Sequence, residues 1–534
     1  MEHGFPHLHV LLLADDYGEQ LWPLARAQAP ACLAPEGPGS QRSLLAAAVA
    51  RTRPFTAEAL HVATSAQLAD VVAAELAAIG GLGASGVAAA GGAEEAAGGA
   101  DLIAVPVAHG SAFSLALACA CIHRQDPSAV VLVAPANQSM QVDDRWGNLV
   151  FRAYQVAQRD CIAVFGSTQE ERAAGVGYLR LGRQFENIDG SFNVRHFFAD
   201  ASLPAARRAV REGALWYTGM FMARAAVLLG AFGGAGMQAA DEEALLGAER
   251  IAETATFFSL LERSVWQRPE AESVIRALPE ASVEEVALAH SERLVALPLT
   301  VQVFALTSLD DIDATMEPDA QGNRGYGQAL HVASRDVTVY EQEPGRLVCS
   351  CGLEDVLVVD TADVVLIADK RSLRNMQPLR DALQQAGAPQ LEAGARRSFA
   401  WGSAQLLTCG ERSASWLLQL RPGALLQPFA VPVAYGLPAV GGGAADGDEL
   451  PAAGSGLAAG SGGLAGRGAA GGDEPPALRV QCVVTSGVVM AEGTVQGTDV
   501  AAAGDAFELA EAYEPTLLCD DEAPAELVLT ATLA

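Results

Sequence analysis

Between His7 and about Gly230 the chain alternates short apolar runs with longer stretches rich in alanine and leucine, and no other feature constrains the fold as much. Val10–Leu13, Ala59–Thr64 (ALHVAT), Asp101–Pro106 (DLIAVP), Ala129–Ala134 (AVVLVA) and Cys161–Gly166 (CIAVFG) are short and rich in aliphatic residues, which suits buried strands. Helix-forming stretches lie between them at Leu44–Arg53, Ser65–Ile79, Ser111–Arg124 and Trp146–Ala157. Strands alternating with helices predict an α/β, doubly wound domain on a mostly parallel sheet. Ligands of such sheets bind at the carboxyl ends of the strands, so the loop after the first strand, Ala14-Asp15-Asp16-Tyr17-Gly18, is the first place to look for a site.

The charge balance narrows the ligand class. The chain has 34 basic and 64 acidic residues and a formal net charge of −30. Nucleic acids and anionic membranes bind through Lys and Arg that neutralise phosphates, so neither is an expected partner. Lys370 is the one lysine, so an amino-terminal site must take any cation from arginine. The charge-free stretch Leu102–His123 is interrupted by Pro106, His109, Gly110 and two serines, which argues against a membrane span. Met1–Pro6 lacks a basic signal-type segment, and a soluble cytoplasmic protein is expected. The nine cysteines include two C-x-C pairs, Cys119/Cys121 and Cys349/Cys351, without partners at zinc-site spacing; both pairs are expected to be buried as small apolar residues.

After the first loop comes Leu21-Trp22-Pro23-Leu24-Ala25-Arg26, then Pro30. This resembles the start of the sugar-nucleotide pyrophosphorylases and, within them, the mannose-1-phosphate guanylyltransferases of the bifunctional type fused to a mannose-6-phosphate isomerase. There the loop reads roughly GGSGTRLWPLSR, then PKQF. Further landmarks follow in the same order. Val105–Ala112 stands for EPVGRNTAP, Val131–Gln138 for LLVLPADH, and Val164–Thr168 with Gly175–Leu179 for the sugar-binding stretch TFGI-PT…TGYGYI. Leu215–Phe221 resembles YLWNSGMF, and Gly352–Asp363 is close to GLEDLVVVDTPD. Arg397–Gly402, Leu420–Gly423 and Val480–Gly487 resemble the isomerase cupin. The resemblance implies a Rossmann-like nucleotidyltransferase domain (1–290), a short left-handed β-helix-like closing segment (291–390) and a cupin-like β-barrel (391–534) with a Gly/Ala-rich insertion at 439–476.

It also implies chemistry: in-line attack of a sugar phosphate on GTP, with a glycine loop, an arginine, a lysine and carboxylate-held Mg²⁺ around the phosphates. Here the loop glycines become Asp15 and Asp16, and the adjoining Thr and Arg become Glu19 and Gln20. Two like charges about 4 Å apart cost about 4 kcal/mol at an effective dielectric of 20, so this loop opposes a triphosphate. The lysine becomes Ala31 or Cys32, and the first metal aspartate becomes Asn137. The second falls near Ala305, with Asp310 and Asp311 close enough to act as shifted ligands. The VEKP segment that holds the sugar phosphate becomes Phe198-Ala199-Asp200-Ala201. Retained nucleotide-binding candidates are Ala14, Gly18, Arg26 and Ser111; sugar-binding candidates are Gly177, Tyr178 and Thr218. No metal ligand is assigned. The last histidine is His331, so the barrel, whose metal positions fall around Val431–Val433 and Val480-Gln481, cannot build a histidine metal site.

Three readings stay open. The chain is a catalytically impaired pseudoenzyme that binds a sugar nucleotide such as GDP-mannose, or pairs with an active paralogue. Alternatively it is an active nucleotidyltransferase with altered substrate or metal use, taking GTP and Mg²⁺, or a structural partner without a ligand. A homo-oligomer or hetero-oligomer is expected in the first and third.

Overall fold

The computed structural model describes residues 5–15, 18–37, 40, 42–55, 60–79, 100–140, 142–168, 177–198, 208–232, 242–301, 303–306, 308–342, 345–373, 375–392, 394–399, 401–409, 413–420, 423, 425–426, 478–492, 500–503, 506–510, 516–519 and 524–533. The Gly/Ala-rich piece 80–100, whose composition predicts a loop, lies outside them except for Ala100, which opens a strand, and so do the 439–476 insertion, 431–433, and residues 16–17, 175–176 and 199–201 of the resemblance. The chain divides into two compact units: 1–25, 29–358 and 367–374 in the larger, and 26–28, 359–366 and 375–534 in the smaller.

In the larger unit the strands β1 (Leu8–Leu13), β2 (Leu60–Ser65), β3 (Ala100–Val105) and β4 (Val130–Pro135) pair in parallel in the order β3-β2-β1-β4. The helices α1 (Leu44–Thr52), α2 (Ala69–Ala78), α3 (Gly110–Gln125) and α4 (Asp144–Ala157) alternate with these strands. Alternate residues face opposite layers: Leu11, Ile103 and Val133 pack with α3 and the helices 225–232 and 242–259, while Val10, Leu12 and Leu132 pack with α1, α2 and α4. Burial on both faces is why these strands read as unbroken apolar runs.

The other half of the sheet is mixed, not parallel. β5 (Gln138–Met140) leaves the main sheet; beyond it come β6 (Ile162–Ser167), β7 (Tyr178–Gln184), β8 (Phe192–Phe198), β9 (Leu215–Arg224), β10 (Leu294–Leu299) and β11 (Val303–Ala305). β9 runs antiparallel between β4 and β6, β10 is parallel to β6, and β7 and β8 form an antiparallel pair at the edge. Strand direction depends on the connection, which apolar patterning does not reveal. The boundary expected at 290 is therefore corrected. β10 is an inner strand of the sheet, and β11 pairs with β5, so the α/β unit continues past 305.

Short strands follow: β12 (Arg324–Tyr326), β13 (Gln328–Val332), β14 (Thr338–Glu341), β15 (Leu347–Cys351), β16 (Val356–Asp360) and β17 (Val365–Asp369). β12 pairs with β14, and β13 with β15, both in parallel, so successive turns stack on one another. Val337, Val339 and Val358 fill the interior, and Lys370 Nζ lies 2.7 Å from Asp313 and 3.0 Å from Asp336. The chain's lysine is thus held in a structural ion pair.

The smaller unit holds two antiparallel sheets. β18 (Arg396–Phe399), β19 (Gly402–Cys409), β20 (Ser413–Leu420), β22 (Leu478–Ser486), β25 (Ala506–Ala510) and β27 (Ala525–Leu533) form one. β21 (Leu425–Leu426), β23 (Val488–Glu492), β24 (Val500–Ala502) and β26 (Thr516–Cys519) form the other. Trp416, Leu418, Cys482, Val484, Leu527 and Leu529 from the first meet Leu426, Val489, Ala501, Leu517 and Cys519 from the second in one apolar core. Among the described residues this barrel-like core is apolar and offers no imidazole to a metal. This unit takes in residues from 375 onward and from 359–366, earlier than the expected start at 391. No helix among the described residues is long and apolar enough to cross a membrane.

Candidate functional site

The candidate site is the carboxyl edge of β1 and β4. Ala14 follows β1, and both of its backbone groups are taken: its N–H donates to Ala63 O and its carbonyl accepts from Thr64 Oγ1, each at 2.8 Å. Gly18 adopts φ +67°, and a Cβ there would lie 2.6 Å from Ala25 Cβ and 2.9 Å from Ala31 Cβ. Packing alone requires this glycine. Ala31 and Cys32, either of which the resemblance sets at the lysine, are both buried, Ala31 fully, with Leu21 and Ala25 and against Leu306. Glu19 and Gln20 are exposed on a short 3-10 turn, and Asp15 is half-buried.

Asn137 and Ala305 are brought together. β5 and β11 pair with Gln138 opposite Ala305, and Leu306 N–H donates to Asn137 O at 3.2 Å. The fold brings near each other the two positions that the resemblance assigns to metal aspartates, here an amide and an alanine. Asp311 is engaged in a capping box with Ser308, accepting from its backbone N–H at 2.9 Å. Among the described residues no group of three His, Cys, Asp or Glu side chains is placed to hold a metal. Mg²⁺ therefore does not fit this edge, since it requires near-octahedral oxygen ligation anchored by carboxylates. A residue that sequence reasoning missed braces the same turn. Arg51, buried on α1, donates to the carbonyls of Pro135 and Gln138, and burial lowers its pKa to about 10.

Ser111 opens α3 and its hydroxyl accepts from Val283 N–H at 3.1 Å. Beside it Ala112 N–H donates to Ala281 O, and His109 Nε2 lies 2.7 Å from Leu278 O. Gly110, at φ +70°, leaves no room for a Cβ against Ala281. The start of α3 is thus stitched to residues 278–283. Arg26 belongs to the smaller unit, where it is buried and bidentate to Asp363 at 2.6 Å through both Nη atoms. Its guanidinium is committed to that carboxylate.

The sugar candidates do meet. Gly177 O accepts from Tyr217 N–H at 2.8 Å, and Tyr178 pairs across β7 and β9 with Trp216. Tyr178 is a core ring, 1 % exposed, and Thr218 Oγ1 donates to Phe165 O at 2.9 Å. The adjacent Tyr217 hydroxyl is buried with no hydrogen-bond partner among the described residues. Burial, then the charge of Glu284, pushes it well above its usual range, and burial raises Glu284 in turn.

A second polar constellation sits at the opposite, amino edge of the strands, and sequence reasoning did not find it. Asp126 Oδ2 lies 2.8 Å from His7 Nδ1 and 3.3 Å from His9 Nε2; His9 Nδ1 is 3.1 Å from His61 Nε2. His61 Nδ1 is 3.1 Å from Asp101 Oδ2, and Arg263 clasps both Asp101 oxygens at 2.7 and 2.9 Å. Burial works against the Asp101 charge, but His61 and Arg263 outweigh it and hold the carboxyl below its usual range. The only hint in the sequence is a histidine interrupting each of two apolar strands.

Comparison with known proteins accords with this geometry. No family model matches the chain. A mannose-1-phosphate guanylyltransferase of Escherichia coli strain K12 is 23 % identical over 427 residues, 78 % of this chain and 82 % of that protein. The xanthan biosynthesis protein XanB of Xanthomonas campestris pv. campestris strain B100 is 23 % identical over 422 residues, again 78 % and 82 %. The crystal structure of a mannose-1-phosphate geranyltransferase from Thermus thermophilus superposes with TM-score 0.56 at 19 % identity, covering 71 % of this chain and 99 % of its own. With the ordered landmarks of its strands and loops, these likenesses make the chain similar to the mannose-1-phosphate guanylyltransferases over most of its length.

Proposed function

We propose that this chain is a catalytically impaired member of its family, which keeps the sugar-nucleotide fold without metal-dependent guanylyl transfer. The observation that supports the reading is the β5–β11 pairing, in which Ala305 lies opposite Gln138, next to Asn137, the two positions that the resemblance assigns to metal aspartates. Buried Ala31 supports it, because no ammonium can replace the metal's charge there. In this reading the stacked strands β12–β17 are the left-handed β-helix of the family and the smaller unit is a cupin without its metal. The chain's role is then to hold a sugar nucleotide such as GDP-mannose, or to associate with a second copy or an active paralogue.

The test is pyrophosphate release from GTP and mannose 1-phosphate with Mg²⁺. No release above background is expected, and turnover would overturn the reading in favour of an active enzyme with altered metal use. Retention of ligand is read separately from the melting temperature with GDP-mannose. A ligand at 100 times its dissociation constant adds about 2.7 kcal/mol of stability. No shift would leave the protein-partner role.

A further inference from the structure

The two C-x-C pairs, alike in sequence, end in opposite surroundings. Cys119 and Cys121 lie on α3 inside the core, as expected, and burial pushes the Cys119 thiol far above its ordinary range and that of Cys121 to about 11. Cys349 and Cys351 depart from the expectation of burial: both are exposed, on β15. The reason is strand geometry. Residues two apart on a strand share a face, and the buried residue between them, Ser350, takes the interior by bonding His331 Nδ1 at 2.8 Å and Ser334 Oγ at 3.0 Å. Both thiols therefore stand on the outer face, opposite Leu330 and Val332 of β13, which are 51 % and 52 % exposed.

We infer that Cys349 and Cys351 form a surface dithiolate site for a soft, two-coordinate monovalent d¹⁰ cation, Cu(I) or Ag(I). Strand spacing separates the two Cα atoms by about 6.6 Å. That is the far end of the range a disulfide bridges, so the pair is poorly set to close on itself. Two metal–sulfur bonds of about 2.3 Å placed in line span about 4.6 Å, which the thiols reach by leaning toward each other about 1 Å apiece. Soft thiolate ligands select such ions. Zinc is disfavoured, because a closed zinc site needs four ligands and this face adds Leu330, Val332, Leu347 and the amide Gln328, none of them a Cys, His or carboxylate. His331 on β13 lies opposite Ser350, on the other side of the pleat, and is bonded there. On binding, each S–H gives its proton to solvent as its sulfur–metal bond forms, and no electron is transferred.

The test uses the full-length reduced chain, titrated without oxygen with Cu(I) in competition with bicinchoninate, beside Cys349→Ser, Cys351→Ser and the double variant. The wild type should hold one more Cu(I) per chain than the double variant, and each single variant should lose that equivalent, because a linear site needs both sulfurs. A thiol count with 5,5′-dithiobis(2-nitrobenzoic acid) should find two more fast-reacting thiols in the wild type than in the double variant, and one equivalent of Cu(I) should protect both. Because both side chains are exposed, the serine variants should keep the wild-type melting temperature. Equal Cu(I) uptake by wild type and double variant, or fast thiols that Cu(I) leaves unprotected, would overturn the inference.

Discussion

The two ends of strands β1 to β4 are built in opposite ways. The carboxyl edge, where ligands of such sheets bind, is lined by Ala14, Gly18, Ala31 and Asn137, with its backbone groups tied to neighbouring strands and turns. The amino edge, where no ligand is expected, carries an unbroken chain from Asp126 through His9 and His61 to Asp101 and Arg263. The row ties β1, β2 and β3 to the turn before β4. The difference teaches that buried charge in this protein serves the scaffold: at the amino edge the ionised groups hold one another, and at the carboxyl edge the buried Arg51 holds the carbonyls of Pro135 and Gln138.

The most severe way to break the comparison is Asp101→Asn. Removing one partner from a buried ionic network costs about 3–5 kcal/mol, and the 29 % exposure of the Asp101 side chain brings the expectation to about 3 kcal/mol by urea unfolding. The pH dependence has a definite sign. The folded pKa of Asp101 is held below 3.8, so its contribution is complete above the unfolded value near 4 and is lost as pH falls through that region. The gap between wild type and variant should therefore narrow below about pH 4. A loss under 1 kcal/mol at pH 7 would mean that the amino edge is ornamental.

The second break is at the other edge. Ala31→Lys restores the family's cation at a position with no exposed surface, packed on Leu21 and Ala25 and within Cβ contact of Gly18. Overpacking costs about 1–3 kcal/mol, and a loss near 2 kcal/mol is expected. If the variant were as stable as the wild type, the edge would open readily enough to admit a phosphate-binding cation.

How far the sequence reveals all this follows the same divide. The parallel strands and their helices were legible because burial on both faces writes long apolar runs, and the exchanges at Gln20, Ala31 and Asn137 stand out because each is a single residue inside a recognisable motif. The direction of β9, the membership of β10 and the outward face of Cys349 and Cys351 were not, since they depend on strand pairing and facing. The histidine row was hidden for the same reason. His9, His61 and Asp101 lie at least 40 residues apart in successive steps, and only the register Leu11 to His61 and His61 to Asp101 brings them into line.

A milder change sharpens the comparison at the start of α3. Ser111→Ala leaves Val283 N–H without its acceptor, and a lost hydrogen bond of this kind costs about 1 kcal/mol. If Ser111 serves packing, the variant loses that stability and any melting shift with GDP-mannose stays the same. If the ligand shift disappears while stability holds, the hydroxyl belongs to a nucleotide site and the carboxyl edge is still in use.

The smallest expected effect is the most demanding. Millimolar Mg²⁺ should leave the melting temperature within about 1 °C of its value in NaCl of equal ionic strength. The salt control matters because a chain of net charge −30 gains from any screening of its own repulsion. Specific binding would show instead as a saturable rise, reaching about 2.7 kcal/mol at 100 times the dissociation constant. Among the described residues the carboxyl edge has no paired carboxylates to produce it: Asn137 and Ala305 stand at the positions the resemblance assigns to metal aspartates, and Asp311 already accepts from Ser308. A saturable rise that Asp15→Asn abolished would show that the acidic loop had become a metal site of its own, and the contrast between a charged scaffold edge and an emptied ligand edge would fail.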